Sequence, residues 1–591
     1  MRTRQFEIVA QDPSVRRNGK VLTAEINLPW EDLDQGPMGY AIYVVDYDAS
    51  AATMYQPAVL ERDTDVVEAP PTLTRLREDS TYHAMNVYAI VMRTLLRFEF
   101  ALGRRVGWGI RGHQLKVVPH AFEEANAFYS PDLEALLFGY VLGRQPIFLC
   151  LSHDIVAHET AHALLDGLRD KFMAPSSPDQ AALHEAFADI VALLSVFSLR
   201  EVVENLIKRP VDDEPLDDDA PDGFAHKSKL SWERLKRTAL LGLAEDMRDD
   251  AAEVRVNALR RSVEIKPDRN ILKRLEFGEE HRRGEVLVAG VMRAFLAAWV
   301  DRIKRLGDIR DPDSLVDLKL VAEEGADIAD ILLTMAIRGI DYTPPIHITF
   351  GDFLSAMLTA DAEVRAADDR YKIRTHLKTE MAAYGIDPSS ESDSGYWIKA
   401  EEKDKLVREG SHLGGLQTDT TEMFRHIWNN RQRLRLNTNA FNRVASVRPC
   451  VRVSPEDGFQ IRETVVEWVQ YLKVTADSLH EYGLRKPRSM PEDVEVRLEA
   501  GSTLILDEYG ELKYAIRNGL PGPDASRKAL KVWQDRISYL WEGGYLGGSS
   551  RSASLSSFHL QRALQSALAD DAAAVAARHE AEQRRLKEGW R

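Results

Sequence analysis

Between positions 153 and 194 the chain reads HDIVAHETAHALLDGLRDKFMAPSSPDQAALHEAFADIVALL. His158 and His162 stand four apart with Glu159 between them. Glu185 and Asp189 stand four apart on a second run with apolar residues at helical spacing and no Gly or Pro. An α-helix puts residues i and i+4 on one face. Residues 153–169 are therefore expected as a helix that points both imidazoles the same way. Two imidazoles at that spacing can hold one Zn²⁺ at about 2.0–2.1 Å each. Glu159 follows His158 by about 100° around the helix, so it can reach a metal-bound water without being a ligand.

A catalytic zinc needs three protein ligands and one open position. Pro175 and Pro178 lie between the two runs, which predicts two antiparallel helices joined by a loop. Glu185 on the second helix is the expected third ligand. Asp189, one turn on, can accept from the far ring nitrogen of a ligand histidine, which fixes its tautomer.

VAHETAH followed by HEAFADI resembles the thermolysin-type metallopeptidases, the gluzincins. The resemblance implies that His158, His162 and Glu185 bind zinc, that Glu159 is the general base and that Asp189 orients His158. The sequence departs from the family pattern in three places. The interval between His162 and Glu185 is 22 residues, a few longer than in thermolysin. His184 stands where the family carries Asn, in the shell around the metal. No Tyr lies between His162 and Glu185, where the family has an active-site Tyr. Asn126-Ala127-Phe128-Tyr129 matches the family's edge-strand segment, which implies that Asn126 and Ala127 hold an extended peptide through main-chain pairing. The family carries a His just before a comparable helix of its second lobe that donates to the oxyanion, and the resemblance makes His281, at the start of a helix expected to run to about Lys304, the candidate for that role.

The fold class expected is α+β. It is a thermolysin-like two-lobe core, with a β-containing first lobe and a mostly helical second lobe, flanked by an N-terminal β segment and a C-terminal α+β accessory domain. The divisions fall at 1–75 (β-rich), 76–200 (the lobe with the HExxH helix), 201–375 (helical lobe), 376–550 (accessory domain) and 551–591 (tail helix). Residues 79–103 are expected as a long helix capped by Asp79 or Ser80. Residues 114–119, 124–129, 135–140 and 147–151 are expected as short strands. An acidic stretch, Asp212-Asp213-Glu214 and Asp217-Asp218-Asp219 with Asp222, reads as a solvated loop. His347 reads as structural, in a loop before a helix over 353–367. Residues 385–395 read as a linker. Strands are expected at 447–453, 502–507 and 512–516, the last two as a hairpin.

A net charge of −16 argues against a nucleic-acid partner, which would select a basic face. Two cysteines, Cys150 and Cys450, give no disulfide framework. The N-terminus has no apolar stretch of a secretory signal and no run of 18 apolar residues exists, so a cytoplasmic protein without membrane contact is expected. The reading is a zinc metalloendopeptidase acting on a peptide or protein substrate. An aminopeptidase would need acidic residues for the free α-amine, and no motif for them stands near the site. The alternative is a catalytically silent gluzincin-fold scaffold whose C-terminal region binds a protein partner. A third reading is a latent protease restrained by its own termini.

Overall fold

In the computed structural model, the described residues are 2–546 except 14–15, 18–19, 63, 71, 144–145, 170, 212–214, 243–261, 409, 455–456 and 523–524. The expected tail helix over 551–591 and the acidic residues 212–214 lie outside them. The fold is mixed α+β with several separate sheets.

The chain begins with strands β1 (Thr3–Val9) and β2 (Thr23–Pro29), which pair antiparallel, and β3 (Ile42–Val44). Helix α1 (Ser80–Leu102) follows. Asp79 caps it by accepting from the Tyr82 N–H, and Gly103 ends it in the left-handed region. Strands β4 (Leu115–Glu123), β5 (Ala127–Ser130), β6 (Ala135–Val141) and β7 (Ile147–Phe148) come next. The sheet order is β5–β6–β4–β3, with β7 also on β6. Strand β3 pairs parallel with β4, so the sheet crosses the division expected at residue 75. One apolar core runs from Phe6 to Ile386 and includes both sides of that division. Asn126 and the two residues before it precede β5 rather than lying in it. The chain bends there, and the Asn126 amide donates to the Glu124 carbonyl.

Helices α2 (His153–Leu168) and α3 (Pro178–Phe197) form the expected antiparallel pair. Ser177 caps α3 by accepting from the Gln180 N–H, and Pro178 sits in its first turn, where a missing N–H costs nothing. Both helices are apolar on nearly every side and nearly fully buried. By length and composition α3 could cross a membrane, but 94% of its most apolar window is buried inside the fold, as in a core helix.

Around this pair stand α4 (Arg200–Ile207), α5 (Glu280–Lys304), α6 (Leu318–Gly339), α7 (Phe350–Val364) and α8 (Ile373–Ala383). The acidic stretch is only partly free loop. Asp217 accepts from both the main chain and the ring of His226, which holds the short strand Phe224–His226 in place. The expected linker 385–395 is a packed turn. The Ser389 amide donates to the Gly351 carbonyl and the Ser390 amide to the Ser355 hydroxyl, against α7.

The C-terminal region holds α9 (Thr420–Asn429), then a four-stranded antiparallel sheet, β8 (Phe441–Val453), β9 (Gln460–Thr475), β10 (Glu495–Asp507) and β11 (Leu512–Asn518), and α10 (Arg527–Glu542). Val465 and Ile505 pack toward Tyr342 and Ala356, while Val466 and Leu504 pack toward Met423 and Ile427. Both faces of this sheet are thus covered. Its first strands meet the core through buried charges. Asp341 is fully buried between Arg104 (2.8 Å) and Arg452 (2.6 Å), and Arg452 also pairs with Glu463. Burial alone would raise the Asp341 carboxyl. The Arg104 and Arg452 guanidinium groups outweigh it and hold the carboxyl well below the usual range.

Candidate metal centre

His158 and His162 project from one face of α2, and Glu185 projects from α3 toward them. All three are buried, at 6%, 6% and 8% exposed. The two Nε2 atoms face each other at 2.9 Å. Glu185 Oε1 lies 3.6 Å from His162 Nε2, and its Oε2 lies 3.8 Å from His158 Nε2. One ligand atom from each of the three residues lies within 4.8 Å of the others.

Asp189 Oδ1 lies 2.9 Å from His158 Nδ1. A carboxylate accepts, so the His158 proton sits on Nδ1 and its Nε2 lone pair faces the centre. A lone pair, a second imidazole and a carboxylate then converge on one buried point. That donor set fits a borderline divalent cation of the zinc type, bound through nitrogen and oxygen.

Glu159 is 2% exposed. Its Oε2 accepts from the Tyr129 main-chain N–H at 3.0 Å. The Asn126 carbonyl is taken by the Gly139 N–H of β6 at 2.8 Å. Main-chain groups alternate along an antiparallel strand, so Ala127 and Tyr129 turn their N–H and C=O groups outward from the sheet. Strand β5 is an edge strand at this end, and its outward side faces Glu159. Of the two residues expected to hold substrate, Ala127 therefore turns its main chain to the side of β5 not paired with β6, whereas the Asn126 carbonyl is spent inside the sheet.

His281 lies in the first turn of α5. Its Nε2 stands 3.6 Å from Glu185 Oε2, so α5 does bring it to the centre. Its Nδ1 stands 3.0 Å from Glu279 Oε1, and the side chain is 38% exposed. With Nδ1–H on Glu279, donation from Nε2 takes the imidazolium form. His184 stacks flat on the His162 ring, with centroids 4.6 Å apart and an interplanar angle of 7°. It backs that ring by contact.

Sequence reasoning did not assign Tyr129 a part. Besides its amide on Glu159, its hydroxyl donates to Asp166 on α2 at 2.9 Å, so it ties the edge strand to the site helix twice. Its place in the Asn126–Tyr129 segment was the only signal for it. Glu279, two residues before His281, was likewise unassigned. No family model matches the chain, and no curated protein matches it.

Proposed function

We propose that this chain is a zinc-dependent endopeptidase of the thermolysin-like type. The observation that carries the reading is the convergence of His158, His162 and Glu185, with Asp189 behind one ligand and Glu159 one position along α2. In this reading the sheet β3–β7 and the helices α4–α8 are the two lobes, and α2 lies between them. The region of α9, β8–β11 and α10 is the accessory part.

Zinc held by these three residues would supply Lewis acidity, bringing a bound water's pKa to about 7 and polarising the scissile carbonyl. The chain's own residues do the rest. The peptide lies along the open edge of β5, pairing with the outward main chain at Ala127. Glu159 takes a proton from the attacking water as its oxygen bonds to the carbonyl carbon. Glu159 then passes that proton to the amine as the C–N bond breaks. The Tyr129 N–H holds the Glu159 carboxylate in place between these transfers. His281, as imidazolium, donates to the oxyanion, and Glu279 keeps the ring oriented.

The test is metal content and cleavage of a peptide library by wild type and Glu159→Gln. The variant is expected to keep its zinc and lose roughly 10²–10⁴ in rate, the usual worth of a general base. A zinc-loaded wild type that cleaves no better than Glu159→Gln would overturn the enzyme reading and leave the silent scaffold.

A further inference from the structure

Away from the α2–α3 centre, three more metal-ligating side chains meet in the sheet region. His83 comes from the first turn of α1, His120 from β4, and Cys150 from the single helical turn Leu149–Leu151. They are 1%, 3% and 0% exposed. His83 Nδ1 lies 2.7 Å from His120 Nε2, and one ring nitrogen of each histidine and the Cys150 sulfur lie within 4.8 Å of one another.

The far nitrogens of both rings are already engaged. His83 Nε2 faces the Leu76 carbonyl at 2.6 Å. His120 Nδ1 faces Asp46 Oδ1 at 2.9 Å and Oδ2 at 3.0 Å. A carbonyl and a carboxylate only accept, so each ring places an N–H outward. In the neutral rings the two near nitrogens then aim lone pairs at one spot beside a thiol. Ligand histidines are oriented in this way, with the far N–H on a carboxylate or a backbone carbonyl. The rival arrangement is a hydrogen-bonded chain with one extra proton between the rings. It uses the same contacts but gives the sulfur no part. Phe148 packs on both rings, 4.7 Å from His83 and 5.2 Å from His120, and Tyr55 lies 5.3 Å from His120. The spot is buried and walled by aromatic rings.

We propose that His83, His120 and Cys150 form a second zinc site, with Asp46 and the Leu76 carbonyl orienting the two rings. The N₂S donor set is borderline to soft, which selects zinc over magnesium or calcium. Binding releases one proton, as the Cys150 S–H bond is replaced by a sulfur–zinc bond. Tetrahedral coordination at 2.0–2.1 Å sets ligand nitrogens about 3.3 Å apart, so the rings part by roughly half an ångström. Three protein ligands leave the fourth tetrahedral position to a trapped water, and with every ligand at most 3% exposed the role is structural. It joins α1, β4 and the segment Cys150–Ser152 that runs directly into α2, the helix carrying His158, Glu159 and His162. The Asn86 side-chain amide already donates to the Cys150 carbonyl at 3.1 Å and holds that segment to α1.

The experiment uses the full chain, purified without chelator and also reconstituted with Co²⁺. Wild type is expected to hold two zinc equivalents and His162→Ala one. The cobalt form should show a thiolate-to-cobalt charge-transfer band in wild type, in His162→Ala and in Cys450→Ser. Cys150→Ser should lose the band and one equivalent. If Cys150→Ser does not fold, the band in both wild type and Cys450→Ser decides, because these are the two cysteines of the chain. A cobalt-loaded wild type without the band, or a band lost in Cys450→Ser, overturns the proposal. Peptidase activity is not among these readouts, so they stand apart from the endopeptidase reading.

Discussion

The Arg448 guanidinium on β8 donates to the Leu168 carbonyl at 2.7 Å. Leu168 is the last residue of α2, and the final carbonyls of a helix have no partners within it. A cation there also meets the negative end of the helix dipole. The same guanidinium donates to Glu467 Oε1 at 2.9 Å. Glu467 pairs in turn with Arg169, whose side chain donates to the Ile340 carbonyl. Strands β8 and β9 thereby grip the end of the helix that carries His158, Glu159 and His162.

Arg448→Ala should therefore loosen the site from a distance. The lost charge-assisted hydrogen bond is worth about 1.5–3 kcal/mol. A urea unfolding series should show a loss of that size, together with faster zinc release to a chelator. Arg448→Lys should recover part of the stability, since a point charge keeps the dipole contact and gives up the two-pronged geometry. Unchanged unfolding and unchanged zinc release in Arg448→Ala would show that the end of α2 stands without this grip.

Asp189→Ala removes the acceptor that holds the His158 proton on Nδ1. Zinc affinity should fall roughly 10–100-fold, the usual cost of losing such a partner. Competition with a chromogenic chelator measures it. In the proposed mechanism neither the water nor the scissile bond touches Asp189, so activity per bound zinc should fall much less than affinity. An affinity equal to wild type would remove Asp189 from the site.

What the sequence made legible was whatever repeats locally. His158 and His162, like Glu185 and Asp189, share a helix face by spacing alone, and Pro175 with Pro178 marks the turn between the helices. His281 was placed by resemblance to the family's histidine before a helix, and α5 brings it within reach of Glu185. Contacts made across the fold leave no such trace. Nothing near Arg448 or Leu168 in sequence announces that they meet. The stretch 460–475 carried no strand expectation of its own, and α10 was not read as a helix. Strand β9 is central in its sheet and buried on both faces, so its polar and apolar residues do not sort by alternation. Glu463, Glu467 and Gln470 lie buried in it, each answered by a partner from elsewhere in the fold. The pairing of β3 with β4 was hidden in the same way, since a three-residue strand depends on its partner rather than on its own pattern.

Gly103 shows a backbone demand of the same long-range kind. Its φ is +67°, and a Cβ built on it would lie 2.3 Å from the Val451 carbonyl oxygen. The Val451 N–H donates to the Gly103 carbonyl at 2.8 Å, so the end of α1 and strand β8 are in direct main-chain contact. Gly103→Ala meets the left-handed penalty of about 1–2 kcal/mol, and the clash with backbone comes on top of it. Denaturant unfolding should show a loss above about 2 kcal/mol. A loss below about 1 kcal/mol would mean that β8 yields at this contact.

His347 gives the stability a pH dependence whose sign follows from its partners. The Glu499 carbonyl lies 2.9 Å from Nε2 and can only accept, so Nε2 carries the proton, and the Ser176 hydroxyl donates to Nδ1. Both ring nitrogens are used by the neutral form. Burial, and then the Arg536 guanidinium of α10, push the imidazole well below its ordinary value near 6.5. In the unfolded chain the ring returns to about 6.5. The folded value is the lower one, so this contribution is complete above about pH 6.5 and is lost as pH falls below it toward the folded value. The slope from one such group is at most about 1.4 kcal/mol per pH unit. Urea midpoints of wild type should fall between pH 7.5 and pH 5, and His347→Gln should fall less over the same interval, from a lower start. Parallel curves for the two proteins would show that the ring titrates alike in the folded and unfolded chain and would overturn this account, and a wild type that gains on His347→Gln as pH falls would show a ring protonated in the fold, with the Ser176 contact reversed.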